Sequence, residues 1–203
     1  MFTGIIEEVG EVIALREEAT NVHFSIRASF VNELQIDQSV AHDGVCLTVT
    51  EVSDDAYVVC AIKETLDRTA LSDWEVGAKV NLERAMKLGS RIDGHMVQGH
   101  VDDVGKCIGK RSEDGSWVFE FQYAVEGNKI TVPKGSICVN GISLTVVRSE
   151  ADSFSVAIIP YTYEHTNLST IEVGGQVNLE FDIIGKYVAR IMEGRDQNTA
   201  LAI

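Results

Sequence analysis

The chain has 203 residues, of which 45% are hydrophobic and 24% charged, with a formal net charge of -14. This composition belongs to packed globular chains, and the acidic balance excludes a nucleic-acid binder, which needs a basic surface to displace counterions from phosphate. No apolar run is long enough to read as a membrane span. The four cysteines (Cys46, Cys60, Cys107 and Cys138) have no C-x-x-C spacing, and no signal peptide is visible, which reads as a reducing cytoplasm without structural zinc.

In chain order, Met1-Phe2-Thr3-Gly4-Ile5-Ile6 opens as a strand pattern with no polar leader, so the terminus is expected to be tied into the fold. Next comes Asp43-Gly44, a dipeptide that supplies the positive φ angles of a tight hairpin, followed by an alternating strand. Alternation puts Val45, Leu47 and Val49 on one face and Cys46, Thr48 and Thr50 on the other. The same design returns as Asn140-Gly141, with Ile142, Leu144 and Val146 apolar and Ser143 and Thr145 in the places of Cys46 and Thr48. Other stretches repeat too. Met96 to Gly105 echoes Met1 to Gly10, Ile62 to Ser72 echoes Ile159 to Ser169, and Glu75 to Glu83 echoes Glu172 to Glu180. The chain is therefore read as two related units.

Each unit holds several short alternating strands between Gly, Asp, Asn or Ser, with one brief helical candidate at Leu66–Asp73 or Leu168–Ile171. That pattern favours a small closed antiparallel barrel. The predicted division is 1–94, 95–182 and a C-terminal helix with its tail in 183–203. In the helix Ile183, Ile184, Tyr187, Val188, Ile191 and Met192 recur at helical spacing. Two closed barrels leave nothing to cover that stripe, so a neighbouring subunit is the expected cover. The tail from Gly194 is expected to be mobile.

The opening hexapeptide, the Asp43–Thr50 turn and strand, Gly94-His95-Met96-Val97-Gln98-Gly99-His100, Lys134-Gly135 through Thr145, and Asp182-Ile183-Ile184-Gly185-Lys186-Tyr187 together resemble the riboflavin synthase family, alpha-chain type, over nearly the whole chain. The resemblance implies an all-β fold of two tandem six-stranded Greek-key barrels plus the helix, assembled as a homotrimer. It implies dismutation of two 6,7-dimethyl-8-ribityllumazine molecules by four-carbon transfer, giving riboflavin and 5-amino-6-(ribitylamino)uracil. No metal or redox cofactor, no nucleic acid and no membrane is implied.

By matching positions, the resemblance assigns Ser39, Gly4, Ile5, Ile6, Cys46, Leu47, Thr48, Cys60, Ala61, Ile62, Lys63, Glu64 and Thr65 to the N-terminal pocket. It assigns Gly99, His100, Val101, Lys134, Ser143, Leu144, Thr145, Ile159, Pro160, Tyr161, Thr162, Tyr163 and Glu164 to the C-terminal one. The catalytic candidates are Ser39, Cys46, His100 and Asp182. A cysteine in a strand is more often packing than chemistry, but Cys46 shares its polar row with Thr48. His100 suits proton transfer, since imidazole gives and takes a proton near neutrality. His95 and His100 lie five apart, on opposite strand faces, with no third ligand in pattern, so they do not read as a metal pair. Thr65 and Thr162 read as strand residues whose hydroxyls suit a ribityl chain. Cys60 stands where the family often carries an acid, and Asp43 where Asn is usual. Two other classes compete: a non-catalytic lumazine or flavin carrier, and a flavin-dependent reductase module, for which the Gly-rich nucleotide turn is missing.

Overall fold

The computed structural model describes residues 1–200 apart from Glu126 and Asn128, with side chains up to Gly194. The first unit contains β1 (Glu8–Glu18), β2 (Asn21–Arg27), β3 (Ser39–His42), β4 (Val45–Val52), β5 (Ala56–Ala61), α1 (Lys63–Arg68) and β6 (Lys79–Arg84). The second contains β7 (Asp103–Glu113), β8 (Ser116–Gln122), β9 (Ser136–Val139), β10 (Ile142–Ser149), β11 (Ser153–Ile158), α2 (Pro160–Glu164) and β12 (Gln176–Phe181). After it comes α3 (Ile183–Ala200). Each unit closes as a six-stranded antiparallel barrel in matching order, β1-β2-β5-β4-β3-β6 and β7-β8-β11-β10-β9-β12. Closure removes the free edges that an open sheet of short strands would expose.

The repeated turns behave as their dipeptides require. Asp43 and Gly44 have φ of 45° and 80°, and Asn140 and Gly141 have 46° and 79°, the two positive values of a tight hairpin whose twist matches its strands. From there β4 and β10 alternate as expected. Val45, Leu47 and Val49 enter the first core beside Phe24, Tyr57 and Leu82, while Ile142, Leu144 and Val146 enter the second beside Phe119, Phe121 and Phe181. The opposite row of each strand faces away from its barrel. Both barrels also break register at matching places, Val12/Ala14 with Cys107/Gly109 and Val49/Glu51 with Val146/Arg148, and such bulges supply the bend that closes a short sheet.

Helices depart from the sequence reading in their starting points. α1 begins at Lys63 and α2 at Pro160, so Thr65 and Thr162 sit on helical turns and not in strands. Proline at the first helical position has its φ already set and loses no hydrogen bond there. The helical candidates at Leu66–Asp73 and Leu168–Ile171 correspond to the later part of each region, where Thr69 and Thr166 cap one-turn helices at Ala70–Asp73 and Asn167–Thr170. α3 continues to Ala200, past the Gly194 at which a tail was expected; residues 201–203 lie outside those described. Its first turn is held to the second barrel by Lys186 Nζ on Asp102 at 2.7 Å. Ile184, Tyr187, Val188, Ile191 and Met192 remain exposed.

The barrels meet across an approximate two-fold axis through a buried polar clasp. Asn81 Nδ2 donates to the Asn140 carbonyl and Asn178 Nδ2 to the Asp43 carbonyl, each at 2.9 Å. Their side-chain oxygens accept from the backbone amides of Asn167 and Ala70 at 2.7 Å. Symmetry fails at one point: Asn167 Nδ2 donates to Asp43 Oδ1 at 2.9 Å, while Ala70, its counterpart, has nothing to offer Asn140. Burial pushes the Asp43 carboxyl from its ordinary 3.8 to about 8, against the opposing pull of bonds from Asn81, Asn167 and Trp74. An acid with a raised native value favours the folded state most below its unfolded value, and that contribution drains away as pH rises towards the native value. Asp43→Asn should therefore be more stable than the parent by a few kcal/mol at pH 8. The gap should shrink towards pH ~4, as urea unfolding across that window would measure.

Candidate active site: two unlike clefts

Two segments outside the barrels build the clefts. Met1–Glu7 and the stretch from Met96 to Val101 pair with each other at the axis, where Phe2 N donates to Val97 O at 2.7 Å and Val97 N to Phe2 O at 3.1 Å. Phe2, Val97, Ala41 and Cys138 form a small apolar cluster there, with Cys46 packed against it. Each segment is gripped by a buried glutamate from its own unit. Glu83 accepts from the Thr3 amide at 2.6 Å, the Thr3 hydroxyl at 2.8 Å and the Gly4 amide at 2.9 Å. Glu180 accepts from the amides of Gln98 at 2.6 Å and of Gly99 and His100 at 2.9 Å. Burial lifts both carboxyls above the ordinary range, and the donors pull them back.

Each segment then crosses to the other barrel. The Gly4 carbonyl accepts from Ser143 N at 2.7 Å, and the Gly99 carbonyl from Cys46 N at 2.9 Å. Ile6 packs on the second core and Val101 on the first. This corrects the pocket assignment drawn from the sequence. Gly4 and Ile6 wall the C-terminal cleft, Ile5 lines both that cleft and a cavity of about 480 Å³ beside Ser39, and Gly99, His100 and Val101 run beside Cys46 on the first barrel. Collinear matching of repeats places each segment with its own barrel, because it cannot show a crossing.

The C-terminal cleft is a cavity of about 430 Å³ lined by Gly4, Ile5, Ile6, Ser143, Tyr161 and Thr162, among others. Glu164 also lines it, and Thr145 is exposed on the same row of β10 as Ser143. Tyr163 turns away, stacking on Trp117 with ring centroids 4.1 Å apart. Leu144 lies in the core, as do Leu47 and Ala61 in the first barrel, so these three can offer a ligand only their backbone. Pro160 starts α2, with Ile159 exposed before it. Lys134 is exposed at a left-handed position, φ 69°, its amide on the Val146 carbonyl at 2.8 Å.

On the N-terminal side Ser39 pairs with Thr48 across β3 and β4. Cys46 and Thr48 share the outward row, with Cys46 half-buried and Thr48 exposed. Half-buried Cys60 lies in β5, where burial pushes its thiol up. Ile62, Lys63 and Glu64 are exposed, and Thr65 is half-buried. Lys63 is occupied by Asp67 at 2.6 Å. On this side Cys46 and His100 flank the Gly99 contact, and Ser39, across from Thr48, opens onto the cavity of about 480 Å³ that Ile5 also lines. Asp182 belongs to the other side, near enough to His95 for its charge to act on that ring.

Sequence reasoning missed Glu83, Glu180 and His95. The glutamates did leave a signal, since Val-Asn-Leu-Glu occurs at 80–83 and again at 177–180, placing a charge at the end of an otherwise buried strand. For His95, whose Nδ1 lies 2.7 Å from Ser143 Oγ, periodicity carries no signal because the contact spans a linker.

A lumazine binding domain model matches the chain twice, at residues 3–85 and 98–182, which makes it a tandem lumazine-binding-domain protein. LumP, whose crystal structure is of a complex with 6,7-dimethyl-8-(1'-D-ribityl) lumazine, superposes with a TM-score of 0.80 over 89% of this chain and 98% of its own. At 23% identity that likeness shows the fold. Riboflavin synthase of Mycobacterium tuberculosis is 42% identical over 95% of this chain and 98% of that protein. Riboflavin synthase of Actinobacillus pleuropneumoniae is 39% identical over 95% and 90%, and that of Saccharomyces cerevisiae 34% identical over 94% and 85%. The chain belongs to the riboflavin synthase family.

Gly99 has φ 81°, and a Cβ built there would stand 2.6 Å from Cys46 Cβ. Gly99→Ala should cost about 1–3 kcal/mol, combining left-handed strain with overpacking. Urea unfolding measures the loss, and lumazine binding should weaken with it.

Proposed function

We propose that the chain is a transferase that dismutates two molecules of 6,7-dimethyl-8-ribityllumazine, releasing riboflavin and 5-amino-6-(ribitylamino)uracil. Family membership and the lumazine-binding domains support the activity. The observation that carries the mechanism is that two clefts of the same construction differ in chemistry. Opposite the crossing glycine, one cleft has Cys46 with His100 following the glycine; the other has Ser143 with Ile5 following. A reaction that joins two copies of one substrate and treats them differently requires such a pair.

The chemistry defines what the residues must do. Two carbon–carbon bonds form between the methyl carbons of one ring system and the ring carbons of the other. Methyl protons are lost, and the donor's two carbon–nitrogen bonds break and are protonated to give the diamine. Two lumazines balance one riboflavin and one uracil, so no external oxidant or reductant enters. His100 moves protons, Cys46 contacts the bound ring beside it, and Ser39 and Thr48 supply hydroxyls. In the second cleft Ser143, Thr145 and Thr162 supply hydroxyls, Tyr161 and Ile5 apolar surface, and Asp182 the nearby charge. Two substrates should disappear for each riboflavin formed, followed by absorbance, and chelators should leave the rate unchanged. Lumazine bound with no riboflavin formed would turn the reading to a carrier. Cys46→Ala and His100→Ala should lower kcat by about 10²-fold or more, with far smaller changes in binding.

The protein works in the cytoplasm, with 1–94 and 95–182 as its lumazine-binding units and 183–203 serving assembly. No described helix is long and apolar enough to cross a membrane. The assembly is a homotrimer in which the N-terminal cleft of one chain faces the C-terminal cleft of another; the exposed stripe of α3 supports association. The test is complementation. Cys46→Ala with His100→Ala disables one cleft, and Ser143→Ala with Thr162→Ala the other. Each variant alone should be nearly inactive, and mixed assemblies should regain part of the activity at interfaces that join two intact clefts. Mixed assemblies verified by mass yet inactive would place the site within one chain.

A further inference from the structure

Ser143 has a partner that the proposed chemistry leaves unused. Its amide is committed to Gly4, and its hydroxyl oxygen lies 2.7 Å from His95 Nδ1. The linker is shaped to allow this contact. His95 N donates to the Thr3 carbonyl at 3.1 Å, and a Cβ on Gly94 would come within 2.7 Å of Ser143 Cβ and 2.9 Å of its Oγ. His95 therefore stands behind Ser143, which itself lines the C-terminal cleft.

We propose that His95 is a positioning residue for that cleft, its neutral ring accepting the Ser143 hydroxyl through Nδ1 so that the serine oxygen is presented to lumazine as an acceptor. The inference rests on the lumazine reading of the cleft and adds to it a polarity: Ser143 selects a ligand N–H or O–H, or a water held by the ligand.

Electrostatics agree with the geometry. Burial lowers the His95 pKa from its ordinary value, with the charge of Asp182 opposing, so the ring is neutral at neutral pH. A neutral imidazole has one donor and one acceptor nitrogen; with the acceptor assigned to Nδ1, the Ser143 hydroxyl donates across the 2.7 Å contact. The groups acting on the ring are the Ser143 hydroxyl from β10 and Asp182 from the junction of β12 and α3, while the Thr3 carbonyl of the N-terminal segment holds the His95 backbone amide. Asp93 on the same linker is exposed. Protonation would make Nδ1 a donor, and Ser143 would have to reverse, turning its own proton towards the ligand. The cleft then offers a donor where the substrate needs an acceptor.

The test compares the full-length enzyme with His95→Ala, His95→Asn, Ser143→Ala and the His95→Ala/Ser143→Ala double variant. kcat, KM and lumazine affinity by fluorescence are measured from acid to neutral pH. His95→Ala should slow turnover about tenfold at neutral pH, the effect of losing one aligned hydrogen bond. His95→Asn, which keeps an acceptor oxygen but cannot titrate, should recover most of that rate and hold it further into acid than the parent. On the Ser143→Ala background His95→Ala should add nothing, because its effect passes through the hydroxyl. An acid limb unchanged in His95→Asn, or single-variant losses that multiply in the double variant, would overturn the proposal. If the parent binds lumazine without turning it over, the activity reading fails, and the same cycle read in lumazine affinity still decides the role of His95.

Discussion

The reciprocal clasp of Asn81 and Asn178 is the contact on which the arrangement of the molecule depends. Each amide reaches out of its own barrel, gives its N–H to the hairpin carbonyl of the other, and takes a backbone N–H from the other's capped turn. Both side chains are almost fully buried. A buried amide without partners costs on the order of 1–3 kcal/mol, so the barrels are held where all these bonds are made at once. An apolar contact of the same size would tolerate sliding. The clasp fixes an orientation.

That orientation decides where the crossing segments run. With the hairpins tip to tip, Phe2 and Val97 meet on the axis, and each glycine beyond them arrives at the outward row of the opposite barrel. Glu83 and Glu180 hold the segments by satisfying backbone amides that would otherwise be buried without acceptors. The result is a pair of clefts whose walls come from both units. Neither barrel alone owns a complete one, and the chemical difference between the clefts arises from replacements at matching places on a common frame, Cys46 for Ser143 and His100 for Ile5.

The barrels, the hairpins and the outward rows were legible because they are local: period-two alternation and two positive-φ dipeptides specify them residue by residue. Cys46, Thr48, Ser143 and Thr145 could be placed on the correct faces for that reason. The crossing was not legible. Gly4 and Gly99 are separated from Ser143 and Cys46 by stretches in which no periodicity reports partner identity, and aligning the two repeats pairs each segment with its own barrel. Thr65 and Thr162 were misread as strand residues because short helices after β5 and β11 have too few turns to display a stripe. His95 was weighed only as a metal ligand, since its real partner lies 48 residues away.

The mismatch at Asp43 reaches beyond its own ionisation. Asp43 takes an amide from Asn167 of the other half, whereas Asn140 turns its own amide to Asn167 within its half and takes nothing from the Ala70 side chain. If two N-terminal halves from different chains came together on the same axis, each Asp43 would face an alanine and lose an amide donor inside a dry contact. If two C-terminal halves did so, each Asn167 would face the other half's Asn140 in place of the Asp43 carboxyl that it serves here. A duplicated barrel carries an inherent risk of pairing with the wrong copy while the chain is still being assembled. One acid and one amide, placed across the axis from each other, make the heterotypic partnership the one that leaves no donor or acceptor wanting.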